Sequence, residues 1–207
     1  MSYHDLVIKD GKFIGEFDEL YTKYEDPWNQ SQEWYINQSA SRKAVCTYIN
    51  KYKISSLVEF GCGLGHTSNL INKNTNIDIL GVDISETSIK KAKKNYPNIG
   101  FKVDDIENIC DYNNYEAFFF SEITWYLLEN NKIGKIFDLM KQNLEGKFFI
   151  HNLVFYKSKQ EYGLDYFSNL NEFLEFCPFN LLGTLSSDYK ESNTIETSTI
   201  FEISLSR

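Results

Sequence analysis

Three glycines fall within five positions in LVEFGCGLGHTSNLI, residues 57–71, at Gly61, Gly63 and Gly65, and Glu59 stands two residues ahead of the first. An apolar run that ends at Phe60 and passes straight into a helix leaves backbone N–H groups and the positive end of a helix dipole at one spot. Small residues there let the chain turn tightly, take positive φ, or let a ligand touch the backbone. Two common phosphate binders do not fit. A dinucleotide fingerprint needs glycine at 66, where this chain has His66, and a phosphate loop ends in Gly-Lys-Ser/Thr, which is absent. Glu59 points the same way, because a carboxylate beside the turn repels a pyrophosphate and attracts an ammonium or sulfonium group.

Two further acidic positions extend the pattern. Asp83 ends the apolar run in ILGVDIS, eighteen residues after Gly65, where a carboxylate can accept both hydroxyls of a ribose. Asp104 and Asp105 end the next run, where an acidic side chain can accept a hydrogen bond from an adenine amino group. A ligand with a cationic amino-acid end, a ribose and an adenine is S-adenosylmethionine.

The ordered series E-F-G-C-G-L-G, G-V-D-I-S, V-D-D-I and SEITWYL resembles the motif series of class I S-adenosylmethionine-dependent methyltransferases, over about residues 30 to 155. The resemblance implies a Rossmann-like, doubly wound, mostly parallel seven-stranded sheet ending in an antiparallel hairpin. It implies that Glu59, Gly61, Cys62, Gly63 and Gly65 surround the methionine part of the cofactor, Cys62 otherwise being a small buried filler. Asp83 with Ile84 would hold the ribose, and Asp105 with the backbone of Ile106 would meet adenine. Asp104 stands where many relatives have glycine, which leaves open which of the two aspartates reads the base. A narrower, local likeness is carried by DPWNQSQEWY at 26–35 and SEITWYLLE at 121–129, which are similar to the nodulation N-methyltransferase group and related small enzymes acting on amino sugars or nucleotide-linked sugars. It implies an aromatic N-terminal lid over the cofactor, built from Trp28, Trp34 or Tyr24.

The elements that must position these residues follow from periodicity. Residues 31–52 set Ile36, Ala40, Ala44, Val45, Tyr48 and Ile49 at three- and four-residue intervals, which predicts one helix with Arg42 and Lys43 in solvent. Strand and helix then alternate: a strand at 55–60, a helix over 65–73, the strand ILGVDI, a helix ETSIKKAKKNY capped by Ser85, strands near 99–104 and 116–121, a helix through ENNKIGKIFDLMKQNL, and the strand KFFIHNLVF. Strands apolar on both faces that alternate with helices call for a parallel sheet covered on two sides, so the fold class is α/β. LLGTLSSDY and IETSTIFEISL, joined by the polar turn KESN, predict a closing antiparallel hairpin. One domain is expected over 1–207: an N-terminal lid and helix at 1–52, a cofactor-binding core at 53–155, and a flap with the terminal hairpin at 156–207.

Methyl transfer to a hydroxyl needs a base, whereas an amine need only arrive neutral. His151 and Asn152 interrupt KFFIHNLVF where that strand would reach the same rim, which makes His151 the first candidate base and Asn152 a substrate contact. Glu122 follows the fourth strand and is the second candidate base, with binding of the methionine amino group as its other role. Trp125 and Tyr126 would pack the cofactor or wall the acceptor pocket, and Tyr162 and Tyr166 in SKQEYGLDYF would form a substrate flap.

Composition bounds the partners. The net charge of −8 repels a nucleic acid backbone, so a small-molecule acceptor, a sugar or sugar nucleotide, is preferred over RNA or protein, and a cofactor-binding protein without turnover is the rival from another class. Apolar runs fall far short of a membrane span, and the first residues lack a signal-peptide pattern. Cys46, Cys62, Cys110 and Cys177 lie far apart, which favours a reduced, cytoplasmic protein, and no spacing marks a metal site.

Overall fold

The computed structural model describes residues 6–9, 12–158 and 163–204. Seven strands form one sheet: β3 (Ser56–Phe60), β4 (Asp78–Asp83), β5 (Gly100–Val103), β6 (Ala117–Ser121), β7 (Phe148–Tyr156), β8 (Asn180–Asp188) and β9 (Thr194–Glu202). Their spatial order is β5-β4-β3-β6-β7-β9-β8. The five strands from β5 to β7 run parallel, and β9 lies antiparallel between β7 and β8. The mostly parallel α/β sheet with its closing hairpin is therefore present. A separate two-stranded ribbon, β1 (Ile8–Lys9) with β2 (Lys12–Phe13), precedes it.

Both faces of the sheet are apolar because helices cover both. On one face Val58, Phe60, Phe118, Phe120 and Phe149 pack with α5 (Lys132–Asn143) and α6 (Leu170–Phe176). On the other, Leu57, Phe119, Ile150 and Ile200 pack with α2 (Ala40–Tyr52), α3 (His66–Thr75) and α4 (Glu86–Asn95). Four phenylalanines, Phe118, Phe119, Phe120 and Phe149, are fully buried, each stabilising the fold by roughly 1.5–3 kcal/mol relative to exposure.

The helix predicted over 31–52 is broken. A π-helical turn over Trp34–Gln38 ends at Ser39, whose side chain accepts from Arg42 N–H and starts α2 afresh. Ser41, Arg42, Val45, Tyr48 and Ile49 form its buried face, so Arg42 is buried rather than solvated. The helix expected from Glu129 begins instead as a short 3-10 turn, Glu129–Asn131, in which Asn130 and Asn131 take positive φ, and α5 starts only at Lys132. Ser85 caps α4 and Asn169 caps α6. Among the described residues no helix is long and apolar enough to cross a membrane.

Candidate active site

A cavity of about 800 Å³ runs along the carboxyl edge of the sheet, large enough for a cofactor and a second small ligand. Its lining follows sheet order: Asp104 and Asp105 after β5, Asp83 on β4, Gly61 after β3, Ser121 and Glu122 at the end of β6, Val154 on β7, and Thr194 and Glu196 on β9. Six adjacent strands contribute, so at roughly 4.8 Å per gap it crosses about 24 Å of sheet. In parallel sheets this edge is where ligands bind.

At one end the glycine turn and Asp83 form a single unit. Asp83 Oδ2 accepts from Gly63 N–H at 2.9 Å and its Oδ1 from Ser85 N–H at 3.0 Å. A carboxylate offers about four lone-pair sites, and the Ser88 hydroxyl and the Ile84 N–H also lie against this one. Burial pushes the Asp83 carboxyl up, opposed by those N–H groups. Gly61 takes φ +78, and a Cβ there would lie 2.0 Å from Ile123 Cγ2. A Cβ on Gly63 would lie 2.6 Å from the Tyr21 hydroxyl, which belongs to α1 (Phe17–Lys23) in the N-terminal segment. The loop is bare because both the turn after β6 and the lid above press on it.

The β5 end carries Asp104, Asp105 and Ile106. Hydrogen bonds from Lys102, Tyr112 and Asn108 outweigh the effect of burial and hold Asp104 well below the usual carboxylate range. Those bonds commit its oxygens to the protein. Asp105 caps the following 3-10 turn through Glu107 N–H and pairs with Lys132 at 3.1 Å, leaving Oδ2 with a contact of 3.5 Å only. Asp105 is thus the freer of the two acceptors.

Midway along the cavity, Arg42 joins the two banks. Its Nη2 donates to Glu122 Oε1 at 2.8 Å, its Nη1 donates to Ser39 Oγ at 2.8 Å, and its guanidinium lies 3.1 Å from the Tyr35 ring centroid. Nε of this buried side chain has no protein partner. Glu122 sits at φ +61, a conformation that costs a non-glycine residue about 1–2 kcal/mol, so the rest of the site must hold it. Burial drives the Tyr35 hydroxyl up to about 12, so it remains a neutral donor.

The N-terminal segment roofs the cavity. Phe17, Tyr21, Trp28 and Trp34 line it, and Tyr126 meets Phe17 edge-on at 5.1 Å. Asp18 Oδ1 accepts from Ser85 Oγ at 2.9 Å and Thr87 N–H at 2.8 Å, and Lys91 Nζ donates to Tyr21 O at 2.8 Å and Tyr24 O at 3.1 Å. These contacts fasten α1 to α4. Tyr24 packs with Leu6, Val7 and Leu20 in a small cluster and does not line the cavity.

Of the residues singled out in the sequence, Gly61, Asp83, Ile84, Asp104, Asp105, Ile106, Glu122, Trp28 and Tyr126 line this one cavity. Gly63 and Gly65 shape the loop from behind, and Cys62 is buried beneath it. Glu59 is corrected more sharply. It is fully buried, accepts from Ser68 under the loop, and has Oε1 unpartnered. Burial raises it to about 7, so it is no fixed negative charge facing a sulfonium.

His151 is also displaced from its expected role. It is 1% exposed, stacks on Phe173 at 4.0 Å, pairs through Nε2 with Thr124 Oγ1 at 2.7 Å, and does not reach the cavity. Burial pulls its imidazole down to about 3. Strand alternation explains this, since His151 points to the α6 face with Phe149, away from the rim. Asn152 is buried with both amide atoms unpartnered, Trp125 packs against Phe155 and Phe167, and Tyr166 donates to Leu128 O at 2.6 Å, all outside the cavity. Tyr162 lies outside the described residues.

Sequence reading missed Arg42 and Glu196. Arg42, Val45 and Ile49 stand at helical spacing of three and four, which puts the arginine on the buried stripe. Glu196 alternates with Ser198 and Ile200 on the strand face that packs on α2. Among the described residues no group of His, Cys, Asp and Glu is arranged to hold a metal.

Residues 57–146 match the methyltransferase domain family model. Protein 235L of Invertebrate iridescent virus 6, whose name places it among the methyltransferases, is 35% identical over 65 residues, and that match spans only 24% of its length and 30% of this chain. The N-methyltransferase NodS of Bradyrhizobium japonicum WM9, solved with S-adenosyl-L-homocysteine, superposes with TM-score 0.64 at 12% identity, over 91% of this chain and 97% of that one. The PH0226 protein of Pyrococcus horikoshii OT3 superposes with TM-score 0.65 at 15% identity, over 89% and 98%. Likeness at these identities concerns the fold. The family match runs from β3 to the turn after α5, less than half of the chain.

Proposed function

We propose that the chain transfers a methyl group from S-adenosylmethionine to a small-molecule acceptor. The observation that carries this reading is Asp83, seated on two backbone N–H groups at the floor of a cavity that begins at Asp105 and passes the Gly61 turn. The donor set fits the cofactor: the Asp83 carboxylate on the cavity wall for the ribose diol, Asp105 with the Ile106 backbone for adenine, and Arg42 with Glu122 for a zwitterionic amino-acid tail. When bound, the cofactor supplies an electrophilic methyl carbon on a positively charged sulfur.

The chain's own contribution is positioning. Lid aromatics exclude water, Asp83 fixes the sugar, and the Arg42–Glu122 pair fixes the tail, so an acceptor nucleophile meets the methyl in line. Carbohydrate is the acceptor class best supported. The far end of the cavity combines two exposed aromatic rings, Trp34 and Tyr189, with the hydroxyls of Ser192 and Thr194 and the amide of Gln38, a mixture suited to the apolar face and hydroxyl edge of a sugar ring. The N-methyltransferase NodS shares the fold, and with His151 enclosed in the core an amine acceptor, which needs no imidazole base, is favoured over a hydroxyl.

The test is calorimetry with S-adenosylhomocysteine, followed by a screen of amino sugars and neutral sugars for release of that product. Micromolar binding and turnover with an amino sugar are expected. Failure to bind S-adenosylhomocysteine, with binding of NAD instead, would remove the reading.

A further inference from the structure

The stretch of cavity beyond Arg42 is left over when a cofactor is laid from Asp105 to the Gly61 turn. Its walls come from three places: the π-helical turn with Trp34 and Gln38, the end of β7 with Val154, and the hairpin with Tyr189, Thr194 and Glu196. Charge there is unbalanced. Arg42 Nη2 donates to Glu122, Arg42 Nη1 donates to Ser39 Oγ, and Ser39 Oγ donates to Glu196 Oε2 at 2.6 Å. Two carboxylates thus share one guanidinium. Ser41 adds its N–H and hydroxyl to the same Oε2, at 3.2 and 2.9 Å, while Oε1 of Glu196 has no donor among the described residues.

No unpaired cation lines this end among the described residues, and Lys157, which reaches Tyr189 O behind the wall, is paired with Asp188. The cavity's cations among the described residues are Arg42 and Lys132, and Lys132 is paired with Asp105 and Glu107 at the opposite end. A phosphate or pyrophosphate would lie against Glu122 and Glu196 with no free counter-charge.

We propose that this end is the acceptor site, and that it takes an unphosphorylated ring compound bearing an amine that arrives as ammonium and binds the open oxygen of Glu196. The proposal rests on the methyltransferase reading above. The ammonium gives one proton to Glu196 Oε1 and becomes the neutral amine. Its lone pair then forms the N–C bond to the methyl carbon as the C–S bond breaks, and that electron pair stays on sulfur. The product carries the positive charge on its methylated nitrogen, and Glu196 returns its proton to water. Trp34 and Tyr189, 49% and 54% exposed, offer faces for the ring.

The experiment is calorimetry of the full chain saturated with S-adenosylhomocysteine, titrated with glucosamine, glucose and glucosamine 6-phosphate. Glucosamine is expected to bind about tenfold tighter than glucose, through a charge-assisted contact, and the phosphorylated amine to bind more weakly than glucosamine. Glu196→Gln should erase the preference for glucosamine with S-adenosylhomocysteine affinity unchanged. Trp34→Leu, at an exposed ring, should weaken glucosamine and glucose alike. If S-adenosylhomocysteine binds but glucose equals glucosamine, or the phosphate binds tightest, or no probe binds, the acceptor assignment is overturned while the methyltransferase reading stands. If S-adenosylhomocysteine does not bind, both fall.

Discussion

The two ends of the cavity are built differently. From β5 to β3 the lining comes from the turns that follow parallel strands, with Asp83 held by backbone N–H groups and the glycine turn locked against Ile123. Past β6 it comes from an antiparallel hairpin and a π-helical turn, joined by side chains along the line Glu122, Arg42, Ser39, Glu196. Backbone donors are fixed by the fold and tolerate little change. Side-chain networks can be rewritten one residue at a time.

This contrast can be broken at its junction. Arg42→Met removes the buried partner of Glu122 and Ser39, and should lower unfolding free energy by about 1–3 kcal/mol, measured by urea denaturation, while weakening cofactor product and acceptor together. A variant that loses only one ligand would place Arg42 on one side of the divide. Asp83→Ala should act on the cofactor end alone. It leaves the N–H groups of Gly63 and Ser85 without their acceptor, and S-adenosylhomocysteine affinity should fall about a hundredfold, with glucosamine binding changed far less in calorimetry.

A smaller effect separates the buried imidazole from the chemistry. The folded His151 pKa, about 3, lies below its ordinary value of 6.5. Between these values the unfolded chain takes a proton that the folded chain refuses, so stability is full above 6.5 and falls as pH drops toward 3, by up to about 1.4 kcal/mol per pH unit. His151→Leu should flatten that slope in denaturation curves taken from pH 4 to 6.5. It should leave the pH dependence of turnover above 7 in place, which a catalytic base at this position would not allow. The smallest effect is expected at the lid. Asp18→Asn weakens the clasp on Ser85 and Thr87, and should speed dissociation of S-adenosylhomocysteine severalfold in stopped-flow fluorescence without touching thermal stability by more than about 0.5 kcal/mol.

Sequence and structure agree best where periodicity and backbone chemistry speak together. The glycine turn, Asp83 and Asp105 were legible because each follows an apolar strand and starts a turn or helix, which leaves few places for the side chain to go. The closing hairpin was legible from two β-rich runs around KESN. His151 was misread because its position along β7 reaches the rim while its face does not, and facing depends on which side α6 covers. Glu59 was misread for a similar reason: β3 turns it under the loop toward Ser68. Arg42 was taken as a surface charge because basic residues on helices usually are, and its burial depends on Glu122 arriving from a strand eighty positions later.

Ser85 touches both the seat and the roof of the cofactor cavity. Its backbone N–H steadies Asp83, and its hydroxyl reaches Asp18 on the overlying α1. The carboxylate below and the clasp above therefore meet at one residue, so a ligand that pulls on Asp83 acts next to the fastening of α1. If ligand tightens that junction, limited proteolysis within α1 should slow when S-adenosylhomocysteine is added.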